Sequence, residues 1–314
     1  MKLVEVVNEY VRFKQSLGMV YKSQSGVLRA FCWTLGDIDI NEVRSKDVLN
    51  FIAGNSSISG FWHKKYTILT CFYRFAIGRS YTISSPLPKT LPKCPEPMAP
   101  YIYSSEDIER LLSAAETLRT PQSFSQADTF RALLLTLYGT GMRIGETLSL
   151  KLNDVNLSES LITIKDAKFF KSRLVPIGPR LTNELSIYVE KRRRLPCLSG
   201  DESAFFVTCK GNALTYDWAG RVFRLLRNRA DVSREAEARY QPRIHDFRHA
   251  FAVHRLIAWY REGTDVQKML PLLASYLGHK DLNSTQHYLS MIPELQQEAS
   301  HRFEQYALTE VKND

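Results

Sequence analysis

The sequence predicts a mainly α-helical chain with a small antiparallel sheet (α+β), divided into two domains. Three observations predict it. Residues 1 to 83 carry apolar side chains at helical spacing in four successive stretches, residues 84 to 100 hold six prolines, and two strand-like runs farther on interrupt an otherwise helical pattern.

The first four helices are expected around Leu3 to Leu17, Ser23 to Leu35, Ser45 to Ala53 and Gly60 to Ile77. Val4, Val7, Tyr10 and Val11 give the first helix a buried stripe, and Ser45 is the expected cap of the third. The fourth interleaves Lys64, Lys65, Arg74 and Arg79 with Trp62, Tyr66, Phe72, Tyr73 and Phe75. Most of those aromatics read as core, and the four cations read as one basic face. Proline removes backbone donors and holds preceding residues extended, so residues 84 to 100 read as a semi-rigid linker. Residues 101 to 314 then form a second domain.

That domain opens with a helix capped by Ser104 or Ser105, whose first turn holds Glu106 and Asp107. A helix from Gln126 to Tyr138 runs into Gly139-Thr140-Gly141, after which a short helix carries Arg143 and Glu146. Leu161 to Lys165 and Arg173 to Ile177 are expected to pair around the segment AKFFKS. Apart from a short apolar run at Ala204 to Val207 the remainder reads as helix, ending in Pro293 to Leu308.

Composition bounds the class. The chain has 314 residues, enough for two cores, with 44% hydrophobic and 24% charged residues. No apolar run reaches the ~18 residues of a membrane span, and the amphipathic start MKLVEVVNEY is unlike a signal peptide, so a cytoplasmic protein is expected. Five dispersed cysteines without ligand spacing read as reduced thiols rather than a zinc site or disulfide frame. The net charge of +9 suits an anionic polymer, and residues 1 to 100 hold 13 Lys and Arg against 7 Asp and Glu, a net +6.

One set of residue types points to phosphate chemistry. Arg143 lies in TGMRIGETLSL; His245, Arg248 and His249 lie in RIHDFRHAF; His279 and Tyr288 lie in LGHKDLNSTQHYLS. Two guanidinium forks match the oxygens of a phosphodiester, imidazoles hold or move protons near neutral pH, and a phenol serves as a covalent nucleophile. Glu146, three residues after Arg143, shares its helix face and can orient it. His245 and Arg248 likewise share one side of a helix, whereas His249 is expected to turn toward the interior as a satisfied core histidine.

The sequence resembles the tyrosine recombinase family, also called phage integrases, in which an Arg box, a hairpin Lys, an HxxRH box and LGH precede a Tyr nine positions after the LGH histidine. Here the boxes occur in that order and Tyr288 lies nine positions after His279. The motifs cover roughly Pro100 onward. The resemblance implies a helical core-binding domain at residues 1 to 83 and a catalytic domain beyond the linker. It makes Arg143 and Arg248 phosphate clamps, His245 a proton acceptor or hydrogen-bond partner, His279 a donor to a nonbridging oxygen and Tyr288 the nucleophile. Lys168 aligns with the family's general acid, and Lys171, three residues on, can reach the same groove.

The reaction so implied is cleavage and rejoining of DNA through a 3′-phosphotyrosyl intermediate, with neither metal nor ATP. The expected partners are double-stranded DNA bearing an inverted-repeat recombination site, a tetramer of this chain on paired sites, and accessory proteins. A simple or mobile-element recombinase is expected, serving DNA integration or transposition. Lys64, Lys65, Arg74, Arg79 and Lys171 are the candidate phosphate contacts. Two rival readings are a type IB topoisomerase, which rejoins the same strand, and a DNA-binding regulator without activity. The final helix, with Ile292, Leu295, Ala299, Phe303 and Ala307 at helical intervals, is expected to pack within its own domain or on a neighbouring subunit.

Overall fold

A computed structural model describes residues 1–54, 58–93, 99–118, 124–167, 171–196, 200–235, 238, 240–279 and 300. The chain divides into two compact units, Met1–Met98 and Ala99–Asp314. Each has its own core.

In the first unit, helices α1 (Leu3–Ser16), α2 (Lys22–Leu35), α3 (Ser45–Ala53) and α4 (Gly60–Gly78) pack around Tyr10, Phe31, Phe72 and Tyr73, with a 3-10 turn at Ile40–Glu42 between α2 and α3. The buried stripe of α1 is Leu3, Val6, Val7, Tyr10 and Val11. Val4, expected in that stripe, is 44% exposed. Positions 3, 7, 10 and 11 define the inward side, and residue 4 lies 100° around the axis from residue 3. The third helix begins at Ser45, but its N-cap is Arg44, whose backbone N–H donates to Asp47 Oδ2 at 3.2 Å. Asp47 thus satisfies the N-cap residue's own N–H, the acidic half of a capping box, and Ser45 is the first helical residue rather than the cap.

The second unit begins with α5 (Ser105–Glu116), capped reciprocally by Ser104 and Asp107. Helix α6 (Phe124–Thr140) continues through Gly139 to Thr140, two residues past the expected end, and Gly141 leaves it at φ +60°. Helix α7 (Ile144–Leu148) follows at once. The sheet has three strands, β1 (Val155–Asn156), β2 (Leu161–Ala167) and β3 (Lys171–Pro176), antiparallel in that order. Ile162 faces Val175 and Thr163 faces Leu174, so the expected hairpin forms in register, with a short edge strand that the sequence pattern did not signal. Helices α8 (Pro179–Arg192), α9 (Tyr216–Arg229), α10 (Asp246–Arg261) and α11 (Val266–Leu277) complete the described fold. The run Ala204 to Val207 lies beside α8 rather than joining the sheet: Arg192, 3% exposed, donates to the carbonyls of Ala204 and Phe205, and Tyr188 Oη donates to that of Phe205.

Among the described residues no helix is long and apolar enough to cross a membrane. Apart from residue 300, the final helix expected at Pro293 to Leu308 lies outside the described residues, as do residues 94–98 of the linker.

Candidate active site

Arg143 is the N-cap of α7, and its position follows from the glycine before it. A Cβ on Gly141 would lie 2.5 Å from Phe251 Cδ1, so only glycine lets the chain turn there against α10. Glu146 fastens the turn from within α7: it accepts the Arg143 backbone N–H at 3.1 Å and Arg143 Nη1 at 2.8 Å. Arg143 Nη2 donates to the Gly278 carbonyl at 3.0 Å. The Arg143 side chain as a whole is 30% exposed.

Arg248 projects from the first turn of α10. That helix starts where it does because Asp246 accepts the Arg243 backbone N–H at 2.9 Å, while Tyr103 stacks on Phe247 at 4.5 Å and donates its hydroxyl proton to the Arg243 carbonyl. Arg248 is buried, with Nη1 on the Gly141 carbonyl at 2.9 Å and Nη2 on the Leu277 carbonyl at 2.8 Å. The two arginines therefore grip successive carbonyls of Leu277-Gly278-His279. Gly278 ends α11 at φ +68°, and the His279 backbone N–H closes on the Ala274 carbonyl at 2.8 Å.

His245 is the residue before α10 and is half-buried beside Arg248. Burial first, and then the positive charge of Arg248, Arg243 and Arg143, hold its imidazole below the ordinary histidine value despite Asp246. A neutral ring at neutral pH can accept a proton. His249 was expected to turn into the interior. It is half-buried with its Nδ1 buried and its ring edge-on to that of His245 at 5.4 Å, and burial followed by His245 lowers it to about 4. Residues 245 and 249 are one helical turn apart, which places them on one side.

One participant escaped sequence reading. Arg173 on β3, 13% exposed, donates Nη2 to Glu146 Oε2 at 2.8 Å and Nε to the Tyr276 carbonyl at 3.0 Å. Burial raises the Glu146 carboxyl, but Arg173 and then Arg143 more than offset it, so Glu146 stays ionised below the usual carboxylate value. The available signal was position, since Arg173 begins the strand-like run just after the hairpin lysines.

The described residues bring together Arg143, Glu146, His245, Arg248, His249 and the backbone of His279. Lys168 and Tyr288 lie outside them, and of Lys171 only the backbone, opening β3, is described. In the first unit the four cations of α4 do not share a face. Lys65 and Arg74 are nine residues apart, two and a half turns, and so lie on opposite sides. Lys65 Nζ donates to the Phe51 carbonyl at 2.7 Å and sits over the Phe51 ring at 4.6 Å, while Arg79 caps the helix end. Among the described residues no group of three His, Cys, Asp or Glu side chains is placed to hold a metal.

The description "phage integrase family" fits residues 102–293, which contain every one of these boxes. The integrase/recombinase y4rB of Sinorhizobium fredii is 33% identical over 306 residues, 96% of this chain and 96% of its own length. The tyrosine recombinase XerC of Oceanobacillus iheyensis is 30% identical over 278 residues, 85% of this chain and 83% of its own. Among solved structures, the integrase of the Tn1549 transposon, in complex with transposon right end DNA, shares the fold with a TM-score of 0.70 at 17% identity, covering 98% of this chain and 100% of that one. A match over more than half the chain, joined to whole-length relatives and a shared fold, establishes that this chain belongs to the phage integrase family, the tyrosine-type site-specific recombinases.

Proposed function

We propose that this recombinase cleaves and rejoins double-stranded DNA at an inverted-repeat site through a 3′-phosphotyrosyl intermediate, as a tetramer on paired sites, in the service of a mobile element. The Tyr288 oxygen attacks the scissile phosphorus, its proton passing to a neighbouring base for which neutral His245 is suited. A tyrosyl O–P bond forms as the bond from phosphorus to the 5′ oxygen breaks. Lys168 delivers a proton to that departing oxygen. Arg143, Arg248 and His279 stabilise the charge that develops on the nonbridging oxygens. The second strand's 5′ hydroxyl reverses the same steps, so the bond energy is kept and ATP has no role.

The observation that carries this reading is the pair of arginine bonds to adjacent carbonyls, Arg248 to Leu277 and Arg143 to Gly278. Three segments distant in sequence converge there, and a guanidinium has more N–H donors than these carbonyls use. Inverted-repeat sites, the tetramer and accessory proteins rest on family resemblance. The mobile-element role gains support from the transposon integrase and from the integrase-named relative.

Tyr288→Phe removes only the hydroxyl oxygen. It should bind DNA as the wild type does yet give no covalent complex with a nicked suicide duplex on a denaturing gel. A trapped band persisting in the mutant would sink the assignment. Exchange between two labelled duplexes, rather than relaxation of one or binding alone, separates recombination from the topoisomerase and regulator readings.

A further inference from the structure

We infer that Arg173 is a positioning residue for strand cleavage, setting the Arg143 fork and the His279 backbone together from one guanidinium on β3. The inference rests on the phosphoryl-transfer reading above and adds to it a residue that touches no reacting atom.

The geometry is a three-way junction. Glu146 lies between two arginines, with Oε1 receiving Arg143 Nη1 at 2.8 Å and Arg173 Nη1 at 3.3 Å. Oε2 receives the Arg143 backbone N–H at 3.1 Å and Arg173 Nη2 at 2.8 Å. Both carboxylate oxygens are thus shared, and the carboxylate that orients Arg143 is itself fixed by Arg173 through a bidentate fork. The third edge of Arg173, Nε, holds the Tyr276 carbonyl at 3.0 Å, two residues before the Gly278 carbonyl that Arg143 holds. Strand β3, helix α7 and the end of α11 are consequently locked at a single point.

Gly278 gives an independent sign of the same contact. A Cβ there would lie 2.8 Å from Arg173 Nη1 and 3.0 Å from its Cζ, so the turn before His279 is shaped to admit this guanidinium. Electrostatics adds a reason for two arginines on one acid. With Arg143 alone, Glu146 would neutralise the charge meant for the phosphate. A second guanidinium shares the carboxylate and leaves Arg143 more of its positive field.

The test uses the full chain and a nicked duplex selected by binding from a randomised pool, made in two forms. One carries an ordinary scissile phosphodiester, the other a methylphosphonate in which a methyl group replaces one charged nonbridging oxygen. On the phosphodiester, Arg173→Ala should slow covalent trapping about a hundredfold, the order expected when a catalytic group is displaced by roughly 1 Å. On the neutral methylphosphonate the Arg143 charge is less needed, and the deficit should shrink to a few-fold. Arg173→Lys keeps a charge without the fork and should fall between, and Gly278→Ala, which keeps Arg173 but displaces it, should reproduce the pattern. Because part of the Arg173 effect runs through Glu146 and Arg143, the double variant Arg143→Ala/Arg173→Ala should lose clearly less than the product of the two single losses. Equal losses on both substrates, or losses that multiply in the double variant, would reduce Arg173 to a fold-holding residue and overturn the inference. Wild-type protein that binds the duplex but traps neither form would instead overturn the recombination reading beneath it.

Discussion

At the scale of single residues, the two arginines that flank the LGH turn are not equivalent. Arg143 is 30% exposed, whereas Arg248 is 3% exposed and bonds two carbonyls. Arg248→Ala should therefore do two things. Cleavage should fall about 10²–10³-fold through loss of a preorganised charge. Stability should also fall, by about 1–3 kcal/mol for each carbonyl left buried without its donor. Thermal melting beside suicide-substrate trapping checks this, and an unchanged melting temperature would show that the carbonyls find other donors. The histidines give a pH prediction. His249 is lowered from 6.5 to about 4 in the folded state, and His245 is lowered in the same direction. The unfolded chain then binds protons more readily than the folded one over that window. Stability should be constant above about 6.5 and decline as pH falls from there toward about 4. His249→Phe should flatten the decline in melting temperature over that range. A variant as acid-sensitive as the wild type would show that other groups carry it.

Helices and strands show how much was legible and why the rest was not. The four N-terminal helices, the hairpin and the short helix after Gly141 follow from periodicity and local turn chemistry, which neighbouring residues determine. Glu146 was legible as the partner of Arg143 because the two are three residues apart on one helix. Arg173 was not, because its partners Glu146 and Tyr276 lie 27 and 103 positions away. The basic face of α4 failed for another reason. Alternating cations and aromatics suggested a stripe, but the helical phase separates Lys65 from Arg74, and Lys65 is spent on the Phe51 carbonyl at the end of α3. This divides the α4 cations by experiment. Exposed Lys64 and Arg74 are available to phosphate, and replacing either by alanine should lessen the slope of log affinity against log salt by about 0.9 for each phosphate no longer neutralised. Lys65→Ala should leave that slope unchanged and instead lower stability. A slope that changes with Lys65 but with neither neighbour would reverse the assignment.

For the molecule as a whole, charge and packing are divided between two units. The first, Met1–Met98, holds a net +6 of the chain's +9, while the residues of the proposed reaction belong to the second. Their cores are separate: Phe72 and Leu69 belong to one cluster, Phe130 and Leu133 to another. Each unit has its own buried apolar cluster, so unfolding of the whole chain should not be a single two-state step. Phe72 and Phe130, both 0% exposed, probe this directly. Each substitution by alanine should destabilise its own unit by about 3–5 kcal/mol, the usual result of emptying a phenylalanine site in a packed core. In scanning calorimetry of the full chain, Phe72→Ala should lower one transition and Phe130→Ala the other. The functional consequences should separate in the same way. Phe72→Ala should weaken DNA binding at temperatures where its unit melts, yet allow trapping once DNA is saturating. Phe130→Ala should abolish trapping while salt-dependent binding by the first unit persists. One transition shifted equally by both substitutions would mean that the two cores unfold as one, and the proposed division of labour between a DNA-gripping unit and a reacting unit would have no support from folding.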